Sequence, residues 1–307
     1  MRKILIGYDG SSHGDDALAL GRMFAAAAGD DADVAVVTVH KALPPKSSHG
    51  ELSLQEERLR HEAEQTLSRA RSAWPQLAES CFRTVRASSP SAGLQRLAAE
   101  GGFDVIVVGD SHRRGLGRVW PGSATEQTLQ GSPRAVAIAP PGYAADASAL
   151  RRIGIGYDGS AEGRHALDLV ADLAAGAGAA VLVISVVDTV MPPLMDAYGV
   201  GSLVDELRER AVRLLEDARD VLGERGVGEV ETARPEGGPV TELVAASANV
   251  DLLVLGSRNH GPAMRLLLGA VSARVVRDAA CPVLIHPRSA RAETDVAAGA
   301  DAAASRV

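Results

Sequence analysis

At roughly 150 residues per domain, a chain of 307 residues is about two domains long, and each half is long enough to bury a core of its own. A formal net charge of -7 and a pI near 5.6 argue against nonspecific binding to nucleic acid, which needs a clustered excess of Lys and Arg, and disfavour nucleic acid as a partner. Aromatics are only 3% while Ala, Val and Leu abound, a usage that suits alternating helices and buried strands and disfavours an aromatic-rich sandwich.

The chain opens on "MRKILIGYDG", which reaches a turn too soon for a signal peptide, and no stretch approaches the roughly 18 apolar residues of a membrane span. A cytoplasmic protein without a membrane partner is expected. "IGYDGS" at 6 to 11 returns letter for letter at 155 to 160, an offset of 149 (155 minus 6). After each copy comes a helical pattern, Ala17-Leu18-Leu20-Met23-Phe24 and Ala166-Leu167-Leu169-Val170-Leu173, with Ser11 and Ser160 placed as N-caps. Apolar, β-branched runs follow, "DVAVVTVH" (33–40) and "AVLVISVV" (180–187), each expected to be one buried strand.

Pro-rich loops at 43–50 and 191–201 lead into long amphipathic helices. Their apolar stripes are Leu59, Ala63, Leu67, Ala70, Trp74 and Leu203, Leu207, Ala211, Leu214, Ala218. Charged runs there, Glu56 to Arg60 and "ELRER" (206–210), have the pattern of solvated faces serving solubility. Short strands near 82–86 and 229–233 precede helices that begin at Pro90 and Pro239, residues suited to a first turn. "FDVIVVGD" (103–110) is answered by "VDLLVLGS" (250–257), and each half closes with a helix and a final strand, "RAVAIAP" (134–140) and "CPVLIHP" (281–287). The implied plan is one domain at 1–140, a linker at 141–150, a second domain at 151–287 and a disordered tail at 288–307 without an apolar face. Strands apolar throughout and alternating with helices predict an α/β fold with a parallel sheet covered on both faces, whose ligands bind at the carboxyl ends of the strands.

Cys81 and Cys281 lie far apart and are expected to be small buried residues beside strands, with neither a disulfide framework nor zinc spacing. His13, His40, His49, His61, His165, His260 and His286 show no metal-ligand spacing and are expected to be satisfied or solvent-facing.

The candidate chemistry follows the fourth strand of each half, where "GDSHRRGLGRVWPGSAT" (109–125) matches "GSRNHGPAMRLLLGAVS" (256–272). Glycines 109, 115, 117 and 122, then Ser123 and Thr125 where a helix should begin, make a phosphate cradle; Arg113, Arg114 and Arg118 add cations. The plainer reading, a Gly turn beside solvated arginines, fits the spacing equally well. The Walker pattern G-x-x-x-x-G-K-[ST] is absent.

At these residues the chain resembles the universal stress protein family, in its tandem-domain form. That signature is Gly, two residues, Gly, nine residues, Gly, then Ser or Thr; Gly109 and Gly256 begin it, and Gly122 and Gly269 stand thirteen positions on. The resemblance implies two Rossmann-like (adenine nucleotide alpha hydrolase-like) domains, each a five-stranded parallel sheet of order 3-2-1-4-5. It also implies ATP, or AMP, ADP or cAMP, at the strand ends, with Mg2+ held by the phosphates. Its adenosine-contacting acid maps to Asp9 and Asp158, after Gly7 and Gly156, and its base-contacting valine to Val39 and Val186. Val108 and Leu255 precede the first signature glycine. Ser111, His112, Arg113 and Gly115 form the loop in half one, as Arg258 and Asn259 do in half two. Gly122, Ser123, Ala124 and Thr125 meet ribose and phosphates in half one, and Gly269, Ala270 and Val271 in half two. A plain turn acid ahead of a helix is the other reading of Asp9 and Asp158.

Two departures weaken the match. The second signature glycine is His112 or Asn259, and the final hydroxyl, kept at Ser123, is Ala270 in half two. Loss of that hydroxyl removes a hydrogen bond to a charged phosphate of about 1.5 to 3 kcal/mol, so the first half is expected to be the stronger site. Three further readings stand beside nucleotide binding. One is a stress-response scaffold that binds no nucleotide. Another makes Ser111 and His112 of "GDSH" a hydrolase pair, which the second half does not repeat. In the third, weak ATP hydrolysis or self-phosphorylation uses Ser123 or Thr125 as acceptor, with Asp110 and Glu126 near in sequence but no positioned base, so an enzyme is not inferred. The final strands are expected to pair the domains to each other, and a homodimer is left open.

Overall fold

The computed structural model describes residues 1–42, 49–110, 124–190, 200–257 and 269–287. Short apolar runs flanked by Gly and polar turns form the strands here, and the longer amphipathic runs form the helices. The first half runs β1 (Lys3–Gly7), α1 (Ser12–Ala28), β2 (Asp33–Lys41), α2 (His49–Ala73), β3 (Phe82–Ala87), α3 (Pro90–Glu100), β4 (Val105–Gly109), α4 (Ala124–Leu129) and β5 (Ala135–Ala139). A helical turn, α5 (Tyr143–Asp146), lies in the connection. The second half runs β6 (Arg152–Gly156), α6 (Ala161–Ala177), β7 (Ala180–Ile184), β8 (Val187–Asp188), α7 (Val200–Glu224) and β9 (Val230–Ala233). It ends with β10 (Glu236–Gly237), α8 (Pro239–Ser247), β11 (Leu252–Gly256), α9 (Ala270–Asp278) and β12 (Val283–His286). The tail and the Pro-rich loop residues 43–48 and 191–199 lie outside the described residues.

The strands form one ten-stranded sheet in the order β3-β2-β1-β4-β5-β12-β11-β6-β7-β9, with a two-stranded ribbon of β10 and β8 beside it. Pairing is parallel within each half, and β5 meets β12 antiparallel, Val136 opposite Ile285 and Ile138 opposite Val283. Because the direction reverses at that junction, the carboxyl ends of the two halves' strands lie at opposite edges of the sheet. Each face carries one apolar core that crosses the junction. One includes Leu18, Leu67, Leu167 and Leu215 from α1, α2, α6 and α7; the other includes Leu94, Leu129, Leu243 and Val275 from α3, α4, α8 and α9.

Repeated acids tie each half together. Asp104 Oδ2 accepts from the amides of Arg2 and Lys3 at 2.7 and 3.0 Å, and Asp251 Oδ2 accepts from Arg151 and Arg152 at 2.8 Å each, so the start of the first strand is held to the start of the fourth. From α1, buried Asp16 accepts from the amides of Gly142 and Ala144 in the connection at 2.9 and 2.8 Å. The expected linker is therefore docked on α1.

Several details differ from the sequence expectation. The run at 180–187 is broken after Ile184, because Val187 and Asp188 pair with Glu236 and Gly237 in the side ribbon. In α7 the buried stripe is Ala211, Leu215, Ala218 and Leu222, while Leu203 is exposed and Leu214 only partly covered. Glu56 crosses to Arg86 of β3 at 2.8 Å, and Arg208 crosses to Glu236 with two bonds of 2.8 Å, so these charges staple helices to strands as well as solvating a face. Cys281 is buried, but Cys81 is half-buried. Among the described residues, the Nδ1 atoms of His13, His40, His165 and His286 are buried without a partner, contrary to the expectation of satisfied or solvent-facing rings.

The last of these has a measurable consequence. The rings of His165 and His286 stand 6.3 Å apart between α6 and β12. Burial pushes His286 down to about 4, and the neighbouring His165 adds to the shift. An unfolded histidine titrates near 6.5, so the unfolded chain takes up this proton first as pH falls. Stability is complete above about pH 6.5 and is lost toward pH 4; we expect about 2 kcal/mol lost between pH 7 and 5. Urea unfolding of wild type and His286→Gln at the two pH values checks this, since the variant should lose most of the pH slope. An unchanged slope would contradict it.

Candidate functional site

The repeated hexamer forms the same turn at the end of β1 and of β6. The amide of Tyr8 donates to Val37 O at 2.9 Å and that of Tyr157 to Ile184 O at 2.8 Å, carrying the sheet ladder one residue past each strand. Gly10 and Gly159 then take φ +74°, left-handed backbone that glycine adopts without a Cβ clash. Asp9 Oδ1 accepts from the Ser11 amide at 3.0 Å and its hydroxyl at 2.6 Å, and Asp158 Oδ1 accepts from the Ser160 amide at 3.0 Å. Both serines cap their helices, accepting from the amides of Gly14 and Gly163 at 3.3 and 3.1 Å. The acids therefore serve the turn, as the plainer reading had it, and also line the cavities at the strand ends.

Sequence reasoning passed over the repeated tyrosine. Tyr8 donates to Asp15 and Tyr157 to Asp217, each at 2.9 Å. Burial, reinforced by the acceptor carboxylate, pushes both phenols up to about 12, so they stay protonated anchors. The signal was the identity of the residue in both copies of the hexamer.

The first signature glycines have a packing role. A Cβ on Gly109 would overlap the carbonyl oxygen of His13 in α1, whereas one on Gly256 would come within 3.1 Å of backbone atoms of Glu162 and Gly163. Each glycine lets the first turn of α1 or α6 rest on the fourth strand.

Two cavities open at the strand ends. That of half one measures about 140 Å³ and is lined by Gly7, Asp9, Val39, Val108, Gly109, Ala124 and Thr125, with His13, Thr38 and Leu94. That of half two measures about 520 Å³ and is lined by Gly156, Asp158, Val186, Leu255, Gly256, Gly269, Ala270 and Val271. Tyr157 belongs to the repeated hexamer and Ser272 ends the signature stretch, whereas no motif marks the further walls Ser185, Asp188 and Arg210, which come from the ends of β7 and β8 and from helix α7. Ser111, His112, Arg113, Gly115, Gly122 and Ser123 lie outside the described residues, as do Arg258 and Asn259. Among the described residues no group of three or more His, Cys, Asp or Glu could hold a metal ion, and no helix is long and apolar enough to cross a membrane.

Helix α9 begins at Gly269, which offers no side-chain cap, so its first amides face the larger cavity through Gly269, Ala270 and Val271. Along α7, Arg210 donates weakly to Asp158 O at 3.5 Å. Nearby, the guanidinium of Arg208 holds the Glu236 carboxyl below the usual carboxylate range and fixes the side ribbon.

A duplicated, mostly parallel α/β sheet with a glycine turn and a cavity at each carboxyl edge defines the doubly wound class whose ligands sit at strand ends. The model of the universal stress protein family matches residues 1–140 and 149–287, and the chain belongs to that family. A universal stress protein of Mycobacterium tuberculosis (strain H37Rv) is 30% identical over 205 residues, 65% of this chain and 69% of that one. Another, from Methanocaldococcus jannaschii, is 33% identical over 138 residues, 44% of this chain and 81% of its own length. The crystal structure of a universal stress protein from Archaeoglobus fulgidus aligns over 94% of this chain and 97% of that chain at a TM-score of 0.61 and 16% identity, a likeness of fold. A universal stress protein crystallised in complex with cAMP is 28% identical, covering 46% of this chain and all of its own, at a TM-score of 0.35.

The glycine geometry gives a test. Gly109→Ala should destabilise the protein by about 3 kcal/mol and Gly256→Ala by about 1 kcal/mol, because only the first forces backbone apart outright. Urea unfolding of the two variants decides, and equal losses would contradict the packing role.

Proposed function

We propose that this universal stress protein binds ATP or another adenine nucleotide and acts in stress response or signalling, and that the second half is the principal site. The observation that carries the reading is the cavity of about 520 Å³ at the carboxyl ends of β6, β7 and β11. Small-molecule sites span about 300 to 1,000 Å³, and the first cavity, at about 140 Å³, falls below that range. The sequence expectation, which favoured half one because Ser123 keeps the signature hydroxyl, is therefore reversed in this proposal.

The walls of the larger cavity fit the parts of a nucleotide. Val186, Leu207 and Leu255 offer an apolar slot for a base. Asp158 accepts from donors on the adenosine, as the family resemblance implies. The unblocked first turn of α9 offers amides and positive potential to phosphate oxygens, and Mg2+ would be carried by the phosphates rather than by an acidic cluster. This is a site for holding and reporting a nucleotide.

Isothermal titration of the nucleotide-free full chain with Mg-ATP should show one saturable site. Asp158→Asn should weaken it about tenfold, since a charge-assisted acceptor becomes neutral. Two equal sites, or none, would contradict the proposal.

A further inference from the structure

The larger cavity has a wall that the smaller one lacks. Leu207, Arg210, Ala211 and Leu214, one face of α7 at helical spacing, line it, whereas no described residue of α2 lines the small cavity. The buried stripes Ala63, Leu67, Ala70 and Ala211, Leu215, Ala218 set the two helices in register at an offset of 148 (211 minus 63). At that offset Arg210 matches Glu62, Leu214 matches Thr66 and Asp217 matches Arg69.

These exchanges change what stands over each hexamer turn. In half one, Thr66 and Arg69 lie against Gly10, and Arg69 donates to Gly10 O at 3.2 Å from outside the cavity. Exposed Glu62, one turn before Thr66, accepts from Arg58 at 3.0 Å. In half two, Leu214 lies against Gly159, and the arginine one turn before it, Arg210, donates to Asp158 O at 3.5 Å from within the cavity.

Among the described residues that line the larger cavity Arg210 is the one cation, and Asp158 and Asp188 share that lining. Helix α7 packs on one face of the sheet and α9 on the other, so Arg210 stands across the cavity from the α9 amides that the nucleotide reading gives to phosphate. Two carboxylates in the same cavity offset its charge toward an anion. Its shape is the stronger asset. A guanidinium is planar and donates through its edge, so the bond to Asp158 O does not use its faces, and a face of this kind stacks on a flat aromatic ring. Leu207, Ala211 and Leu214 frame it with apolar surface on the same helix.

We propose that Arg210 is the stacking platform for the ligand's base and that this α7 wall makes the second half selective for a purine. The assignment rests on the nucleotide reading of the same cavity and extends its slot of Val186, Leu207 and Leu255 by one helical turn. A purine presents a larger π-face than a pyrimidine and gains more from the guanidinium plane. Half one, with Glu62 at the matching place, has no such platform.

The test titrates the full chain with Mg-ATP, Mg-UTP and adenosine, with circular dichroism confirming that each variant is folded. Wild type should prefer ATP to UTP. Arg210→Met, which keeps an unbranched apolar stem, should weaken ATP and adenosine alike by about tenfold and bring ATP and UTP closer together. Arg210→Lys, which keeps the charge and loses the plane, should forfeit most of the same factor. A loss for ATP with adenosine unchanged, full affinity in Arg210→Lys, or full affinity in Arg210→Met overturns the assignment and leaves the nucleotide reading standing. Failure of wild type itself to bind ATP overturns both.

Discussion

The final strand of each half needs a partner. β5 is apolar and buried along its whole length, and β12 is buried except at its last residue, so neither edge is suited to face water with unpaired amides and carbonyls. Antiparallel pairing of Val136, Ala137 and Ile138 with Ile285, Leu284 and Val283 satisfies both. One sheet and two continuous cores follow from that seam, and so does the opposition of the ligand edges. A single ligand at one edge has no access to the other cavity, so each half keeps its own chemistry.

Within that frame the halves reuse positions while exchanging charges. Tyr8 is flanked by Asp15 on α1 and Arg69 on α2, whereas Tyr157 is flanked by Arg164 on α6 and Asp217 on α7. The staple between the long helix and the third-strand region is Glu56 to Arg86 in one half and Arg208 to Glu236 in the other. In each case the pair survives with its polarity reversed, so the backbone is held alike while the potential around the cavity changes. Arg210 and Asp188 belong to the larger cavity alone. Duplication thus preserved the scaffold and released the sites to diverge.

Much of the scaffold was legible because it is written in local pattern. Periodicity placed nearly every strand and helix, and the Ser11 and Ser160 caps follow from hydroxyls set before helical runs. The break after Ile184 was hidden, since "AVLVISVV" is apolar throughout and only its partner in the side ribbon divides it. The docking of the connection was equally hidden, because Asp16 lies more than a hundred residues from the amides it caps. Asp158, Val186 and Gly256, named from the family resemblance, line the larger cavity, yet the relative size of the cavities was not legible. The glycines at 109 and 256 were legible as glycines, but their contact with the first turn of α1 and α6 is a tertiary fact.

The central claim is that the second half takes the nucleotide while the first supports it across the β5–β12 seam. Amide hydrogen exchange with and without saturating Mg-ATP tests it most directly, because the two cavities lie on well-separated segments. The account predicts slowed exchange at 157–160, 184–188 and 269–273, with 8–11, 37–41 and 124–128 unchanged. Protection confined to the first-half segments, or equal in both halves, would contradict it.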